Sequence, residues 1–191
     1  EYAKDGYASA DAVALGRVSE PANELITLTD YRRRHAQYRS DPDLQALHAA
    51  LPMIAVWDDH EIANDAWRDG AENHAPATEG PFAARRAVAI QAYHEWMPTR
   101  LANPAQPDRI YRTFDFGDLV SLHMLDTRLI GRDKQLDFAN YVGASGFDAA
   151  KFTGDLSNPA RQLLGAEQTA WLQQAMSASR SQWQVLGQQV L

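Results

Sequence analysis

The sequence predicts a layered α/β domain built on a mixed sheet, and three observations carry that expectation. Short apolar runs of strand character alternate with stretches of helical period along the chain. Two of these runs, 110–116 and 119–125, are joined by Gly117-Asp118, the pattern of a tight hairpin. A third, Pro52 to Trp57, is apolar throughout, as in a strand buried on both faces. With 191 residues the chain can form one sizeable core, or a large part of a bigger one. No repeat or linker divides it, so 1–191 reads as a single domain. It opens at Glu1-Tyr2 and stops at Val190-Leu191 within an expected strand, so the domain is expected to be incomplete at both ends.

Taken in order, residues 1–24 mix Ala, Gly, Ser and charges without a period and read as loop with a short helical turn. Thr29 is the expected N-cap of a helix over 30–39, with Leu28, Tyr31, His35 and Tyr38 on one side. Arg32-Arg33-Arg34 reads as its solvated face. Asp41-Pro42 starts a second helix to Ala50, because proline is tolerated at the first helical position. The apolar run 52–57 follows, then a loop rich in Gly, Asn and Pro over 68–81. Phe82 to Trp96 is a helix whose apolar face is Phe82, Ala89, Ala92, Tyr93 and Trp96, closed by Pro98. After the hairpin, which ends in Asp126-Thr127-Arg128, residues 131–158 form a long polar insert with scattered aromatics, a lid or surface excursion. A helix over 166–177 and a last strand over 183–191 complete the reading.

Composition narrows the function. A formal charge of −7 opposes a nucleic-acid backbone, so no nucleic-acid-binding face is expected. An acidic protein still binds phosphate esters where a local cation inverts the field. With no cysteine, there is neither a disulfide nor a thiolate metal site. No apolar run reaches the length of a membrane span, and the start shows no basic and hydrophobic leader pattern.

The chemistry gathers at Asp58-Asp59-His60-Glu61, directly after the apolar run. In layered α/β folds ligands collect beyond the carboxyl ends of strands. Adjacent carboxylates raise one another's energy unless a cation neutralises them, and oxygen with imidazole donors suits a divalent or trivalent metal. The competing reading has the acids capping the next segment and His60 filling a polar niche. Four such residues after an apolar strand favour the metal. His35, His48, His74, His94 and His123 lack acidic neighbours at ligand spacing and read as packing residues.

Trp57-Asp58-Asp59-His60-Glu61-Ile62-Ala63-Asn64-Asp65 resembles the signature of PhoD-type alkaline phosphatases, relatives of the purple acid phosphatases and calcineurin-like metallophosphoesterases. Thr29-Asp30-Tyr31-Arg32, Asp41-Pro42-Asp43-Leu44-Gln45, Leu125-Asp126-Thr127-Arg128 and Leu164-Gly165-Ala166-Glu167-Gln168 extend the resemblance over nearly the whole chain. It implies a calcineurin-like β-sandwich flanked by helices, with mixed sheets, and metal-assisted hydrolysis of small or polymeric phosphate esters. In the wider superfamily this strand end reads Gly-Asn-His-Asp or Gly-Asn-His-Glu. Asp59 then takes the place of a metal-binding Asn, which suits a hard cation such as Ca2+, and His60 that of the His assisting phosphoryl transfer. Asp58 replaces a Gly and supports the site. Asn64 and Asp65 either reach the same metal or cap the next segment.

Arg128 is a candidate phosphate clamp, with an ion pair to Asp126 as the alternative, and Asp126 alternatively holds its own loop. The family's Fe3+-binding Tyr follows a Gly-Asp that does not precede Tyr2, so Tyr2 is not given that role. Further ligands of the family are absent from these residues, and a complete metal centre is not expected here. The resemblance also implies a periplasmic or secreted setting. A non-catalytic metal- or phosphate-binding module is the alternative function. A Ser-His-Asp hydrolase is a third, which lacks its Gly-x-Ser-x-Gly elbow.

Overall fold

Capping fixes where the first helices begin. In the computed structural model, which describes residues 1–4, 10–101 and 103–190, α1 spans Leu28–Arg39 and starts two residues earlier than expected. Its N-cap is Thr27, not Thr29. The Thr27 hydroxyl accepts from the Asp30 N–H, and the Asp30 carboxylate accepts from the Thr27 N–H at 2.9 Å, a reciprocal capping box. Asp41 caps α2 (Pro42–Ala50) by accepting from the Leu44 N–H. A single turn, α3 (Pro76–Glu79), lies inside the expected 68–81 loop, and α4 runs over Phe82–Trp96 as the sequence predicts. Parts of the expected 1–24 loop and the final Leu191 fall outside the described residues.

The chain divides into two compact units, Glu1–Ala66 with Gly70–Arg112, and Trp67–Asp69 with Thr113–Leu191. In the first, α1 packs on α4. The buried groups there are Tyr31 and Arg34 from α1, and Phe82, Arg85, Ala89, Ile90, Ala92 and Tyr93 from α4. Arg34 therefore corrects the reading of the arginine run as a solvated face. Its guanidinium donates to the carbonyls of Glu1 (2.7 Å), Ala3 (3.0 Å), Glu20 (3.2 Å) and Pro21 (2.8 Å). Helical spacing puts residue 34 on the same side as 31, and a planar fork with several donors is suited to collecting backbone carbonyls that burial would otherwise leave unsatisfied. Arg32 and Arg33 stay outside, paired with Glu95 and Glu20.

The apolar run 52–57 is a second correction. It lies outside any helix or strand, and only Trp57 is fully buried, while Met53 is 49 % exposed. A strand needs ladder partners as well as apolar residues. Here the Ala55 carbonyl is met instead by the Arg112 guanidinium at 2.8 Å.

The second unit holds the sheet. Strands β1 (Arg112–Phe116) and β2 (Val120–Met124) form the expected hairpin, its turn using Gly117 at φ 61°, a conformation open to glycine. The insert 131–158 carries structure of its own: a 3-10 turn at Phe138–Tyr141, the ribbon β3 (Val142–Gly143) and β4 (Gly146–Phe147), and α5 (Ala149–Leu156). Phe138 stacks on Phe152 at 5.1 Å, and Tyr141 meets Phe152 edge-on at 5.2 Å, so the scattered aromatics form a small cluster. Helix α6 (Gly165–Ala178) follows, then β5 (Trp183–Gly187), which pairs parallel to β2. The sheet order β1-β2-β5 combines a hairpin with a parallel neighbour, the mixed arrangement expected. Gly131 allows the chain to pass against Leu164-Gly165, since a Cβ there would lie 2.2 Å from backbone atoms.

Two side-chain amides replace ladder bonds where β2 ends. Gln168, buried on α6, accepts from the Asp126 N–H and donates to the Asp126 carbonyl, both at 2.8 Å. Gln189 does the same across Thr127 N–H (2.9 Å) and the Leu125 carbonyl (2.8 Å). No helix among the described residues is long and apolar enough to cross a membrane.

Gln168→Ala strands a buried N–H and C=O, and we expect a loss of about 2–4 kcal/mol, read from denaturant or thermal unfolding. A second expectation concerns His35, whose imidazole burial pushes down to about 4, with the Arg39 charge adding to the effect. Unfolding restores the ordinary value, so between the two the unfolded chain binds the extra proton. Stability therefore falls as pH drops through that window and is unaffected above it. His35→Gln is expected to flatten the thermal midpoint against pH between about 6.5 and 4.

Candidate functional site

Trp57 anchors the entry to the site. Its ring is fully buried and meets Tyr93 and His94 edge-on, at 5.4 and 5.8 Å. The chain then reverses, because the N–H groups of Ile62 and Ala63 both donate to the Asp59 carbonyl at 2.8 Å. Two carboxylates serve this turn's backbone: Glu61 accepts from the Asp58 N–H at 2.8 Å, and Asp59 accepts from the Asp65 N–H at 2.6 Å. The capping alternative is thus realised for part of the acidic run. Asp65 sits at φ 49°, a left-handed conformation that Asp tolerates better than most residues.

His60 is held at both ring nitrogens. Nδ1 lies 2.8 Å from Glu1 Oε2 and Nε2 lies 2.8 Å from Asn64 Oδ1. The amide of Asn64 has one orientation, because its Nδ2 donates to the Glu72 carboxylate, which can only accept. Its carbonyl end therefore faces His60, and Nε2 must donate. With a carboxylate on Nδ1 as well, the fully bonded state is the imidazolium. Burial opposes the charge, but the bonds to Asn64 and Glu1 and the charge of Asp59, 4.0 Å away, outweigh it and hold the imidazole above its ordinary value. His60 and Glu61 both line a cavity of about 310 Å3, so the ring is reachable.

The structure places Asp58, Asp59, His60 and Asn64 on one turn. Asp59 is buried, Asp58 and Asn64 half-buried. The oxygen donors of Asp58, Asp59 and Asn64 have the chemistry a hard cation requires. Among the described residues, however, no group of three or more His, Asp or Glu closes into a metal-holding cluster. These residues supply part of a ligand set.

Arg128 belongs to the second unit and is described there. It is buried, in a loop that the Asp126 carboxylate pins by accepting from the N–H groups of Arg128 and Leu129, each at 2.8 Å. Asp126 thus holds its own loop, one of the roles foreseen for it.

Several residues escaped sequence reasoning. Glu1 and Glu72 partner the site from distant positions. Tyr31 donates from its hydroxyl to the Ile62 carbonyl at 2.6 Å, and Arg85 donates to that hydroxyl at 3.1 Å. Tyr2 meets His60 edge-on at 5.4 Å. His74, read as lacking acidic company, has Nδ1 3.1 Å from Glu79 Oε2, an acid five positions on that the short helix α3 turns back toward it.

Comparison with known proteins identifies relatives of the chain. The chain is 46% identical over 170 residues to alkaline phosphatase D of Bacillus subtilis (strain 168), covering 87% of this chain and 27% of that protein. A solved structure described as that of PhoD superposes with a TM-score of 0.77 at 41% identity, covering 100% of this chain and 34% of the other. The chain thus spans about a quarter of the length of the curated relative it matches. The family model for PhoD-like phosphatases matches residues 1–191, from one end of the chain to the other, and the chain belongs to that family.

Proposed function

We propose that the intact protein is a metal-dependent phosphatase or phosphodiesterase, hydrolysing small or polymeric phosphate esters, with His60 as the catalytic group of this segment. The observation that carries the reading is the double bonding of His60 within an acidic turn. An imidazole kept protonated at Nε2 can offer that N–H to a phosphoryl oxygen that displaces the Asn64 carbonyl, or its proton to a leaving alkoxide. Glu1 orients the ring from Nδ1, and Asn64 occupies Nε2, the position a phosphoryl oxygen would take.

Asp59, with Asp58 and Asn64, is proposed to contribute to metal binding, Ca2+ and Fe3+ being the proposed ions. Such a centre lowers the pKa of a bound water and neutralises charge on the ester. Buried Asp59 suits this role best, since its carboxylate is already oriented by the Asp65 N–H. Arg128 is proposed as a guanidinium clamp for phosphate, its loop fixed by Asp126. The mixed sheet and helices are consistent with a calcineurin-like sandwich of which 1–191 forms part of one domain. Family membership supports a periplasmic or secreted setting.

With the intact protein, phosphate release from an aryl phosphate at alkaline pH is expected to stop on chelation and return with Ca2+. His60→Ala and Asp59→Ala are each expected to lower kcat about 10²–10⁴-fold. Rates unchanged by chelation or by either substitution would overturn the proposal. Calorimetric binding of Ca2+ and phosphate without turnover would favour a binding module instead.

A further inference from the structure

We infer that Arg85 and Tyr31 are positioning residues that together fix His60 along two routes, an inference that rests on the reading of His60 as the group acting on the phosphoryl oxygens. The first route is through the backbone. The Arg85 Nε–H donates to the Tyr31 hydroxyl at 3.1 Å, which leaves that hydroxyl's own proton for the Ile62 carbonyl, 2.6 Å away. Ile62 is two residues beyond His60 and its N–H closes the turn on the Asp59 carbonyl. A pull on the Ile62 carbonyl therefore sets the plane of the peptide that ends the turn carrying the imidazole.

The second route is through a ring. The same guanidinium lies over the Tyr2 ring, 5.6 Å from its centre, and Tyr2 meets the His60 ring edge-on at 5.4 Å. One buried cation thus governs both the backbone under His60 and the aromatic surface beside it.

Arg85 has little freedom to move. Its Nη2 donates to Glu24 at 2.8 Å, and its Nη1 donates to the Asn73 carbonyl at 3.1 Å and to Glu79 at 3.2 Å. Tyr31 and Arg85 are both almost entirely buried. Apolar side chains would fill such space without the cost of desolvating a charge. What apolar residues cannot do is specify the direction of a hydrogen bond. Burial also pushes the Tyr31 hydroxyl up to about 12, so it remains a donor throughout the pH range of hydrolysis. A displacement of about 1 Å at a reacting group can cost on the order of 10²-fold in rate, so fixing this turn has catalytic weight.

The test uses the intact protein, with an aryl phosphate as substrate. Tyr31→Phe removes one hydroxyl and keeps the ring, and it is expected to lower kcat about tenfold with KM changed less than about twofold. Arg85→Lys keeps the buried charge and loses the fork, with a similar effect expected. The double variant should be no slower than the slower single, since both act on one turn. Hydrogen exchange supplies the second readout: the amides of Ile62, Ala63 and Asp65 should lose protection selectively. Tyr31→Phe with kcat within about twofold of the parent, or with protection lost evenly across α1 and α4, would overturn the inference. If Tyr31→Phe does not fold, Arg85→Lys decides by the same two criteria. His60→Ala separates the two levels of argument. If it abolishes hydrolysis while Tyr31→Phe does not affect it, only the positioning role falls; if it leaves hydrolysis intact, the site reading falls and the positioning role with it.

Discussion

A guanidinium with no water around it must find every partner inside the protein, and the first unit is organised around meeting that requirement for Arg85. Two carboxylates, a phenol, a backbone carbonyl and an aromatic face converge on it from α1, α3, the loop before α3 and the N-terminal segment. They come from three separate stretches of the chain, around residues 2, 24–31 and 73–79. The charge therefore selects among packings of α1 against α4: an alternative that moved α4 by a turn would bury the charge without acceptors. Arg34 does equivalent work on neutral groups, gathering four main-chain carbonyls of the N-terminal segment and of residues 20–21. Together the two arginines tie extended chain onto the packed pair of helices α1 and α4.

The second unit solves a related problem with amides. Where β2 stops, its backbone groups lose their ladder, and Gln168 and Gln189 take over with one donor and one acceptor each. An amide side chain matches the peptide group it replaces, so the N–H groups of Asp126 and Thr127 and the carbonyls of Leu125 and Asp126 keep partners at the buried strand end. The insert relies on neither device. Its aromatic rings, Phe138, Tyr141, Phe147 and Phe152, pack on one another at the surface, as expected for compact surface loops held by their own side chains.

Legibility in the sequence followed the range of the forces involved. Helices α2 and α4 and the hairpin were readable because capping, period and turn residues act within a few positions. Helix α1 was readable in extent but not in its cap: Thr27 and Thr29 are chemically equal, and only Asp30 facing back distinguishes them. The run 52–57 misled because apolarity records a tendency to be buried, whereas a strand depends on who lies alongside. At the site, Asp59 and His60 stood out as a local cluster. Glu1, Glu72, Tyr31 and Arg85 did not, because single charges and phenols carry no signal until tertiary contacts bring them in from 8 to 59 residues away. His74 shows the limit on a smaller scale, its acid supplied by a four-residue helix with no period to detect.

Asn64 has a consequence beyond its contact with His60. An amide is a two-ended connector, one end giving a hydrogen and the other receiving one, and the acid at one end determines which end the other neighbour meets. The exposed Glu72 carboxylate, eight residues further along, thereby dictates the protonation the imidazole presents, without touching it. Hydrogen bonds run outward from His60, through Asn64 to Glu72 on one side and directly to Glu1 on the other. An anion arriving at Nε2 would have to take that hydrogen from the Asn64 carbonyl, the acceptor that the order of the row has fixed in advance.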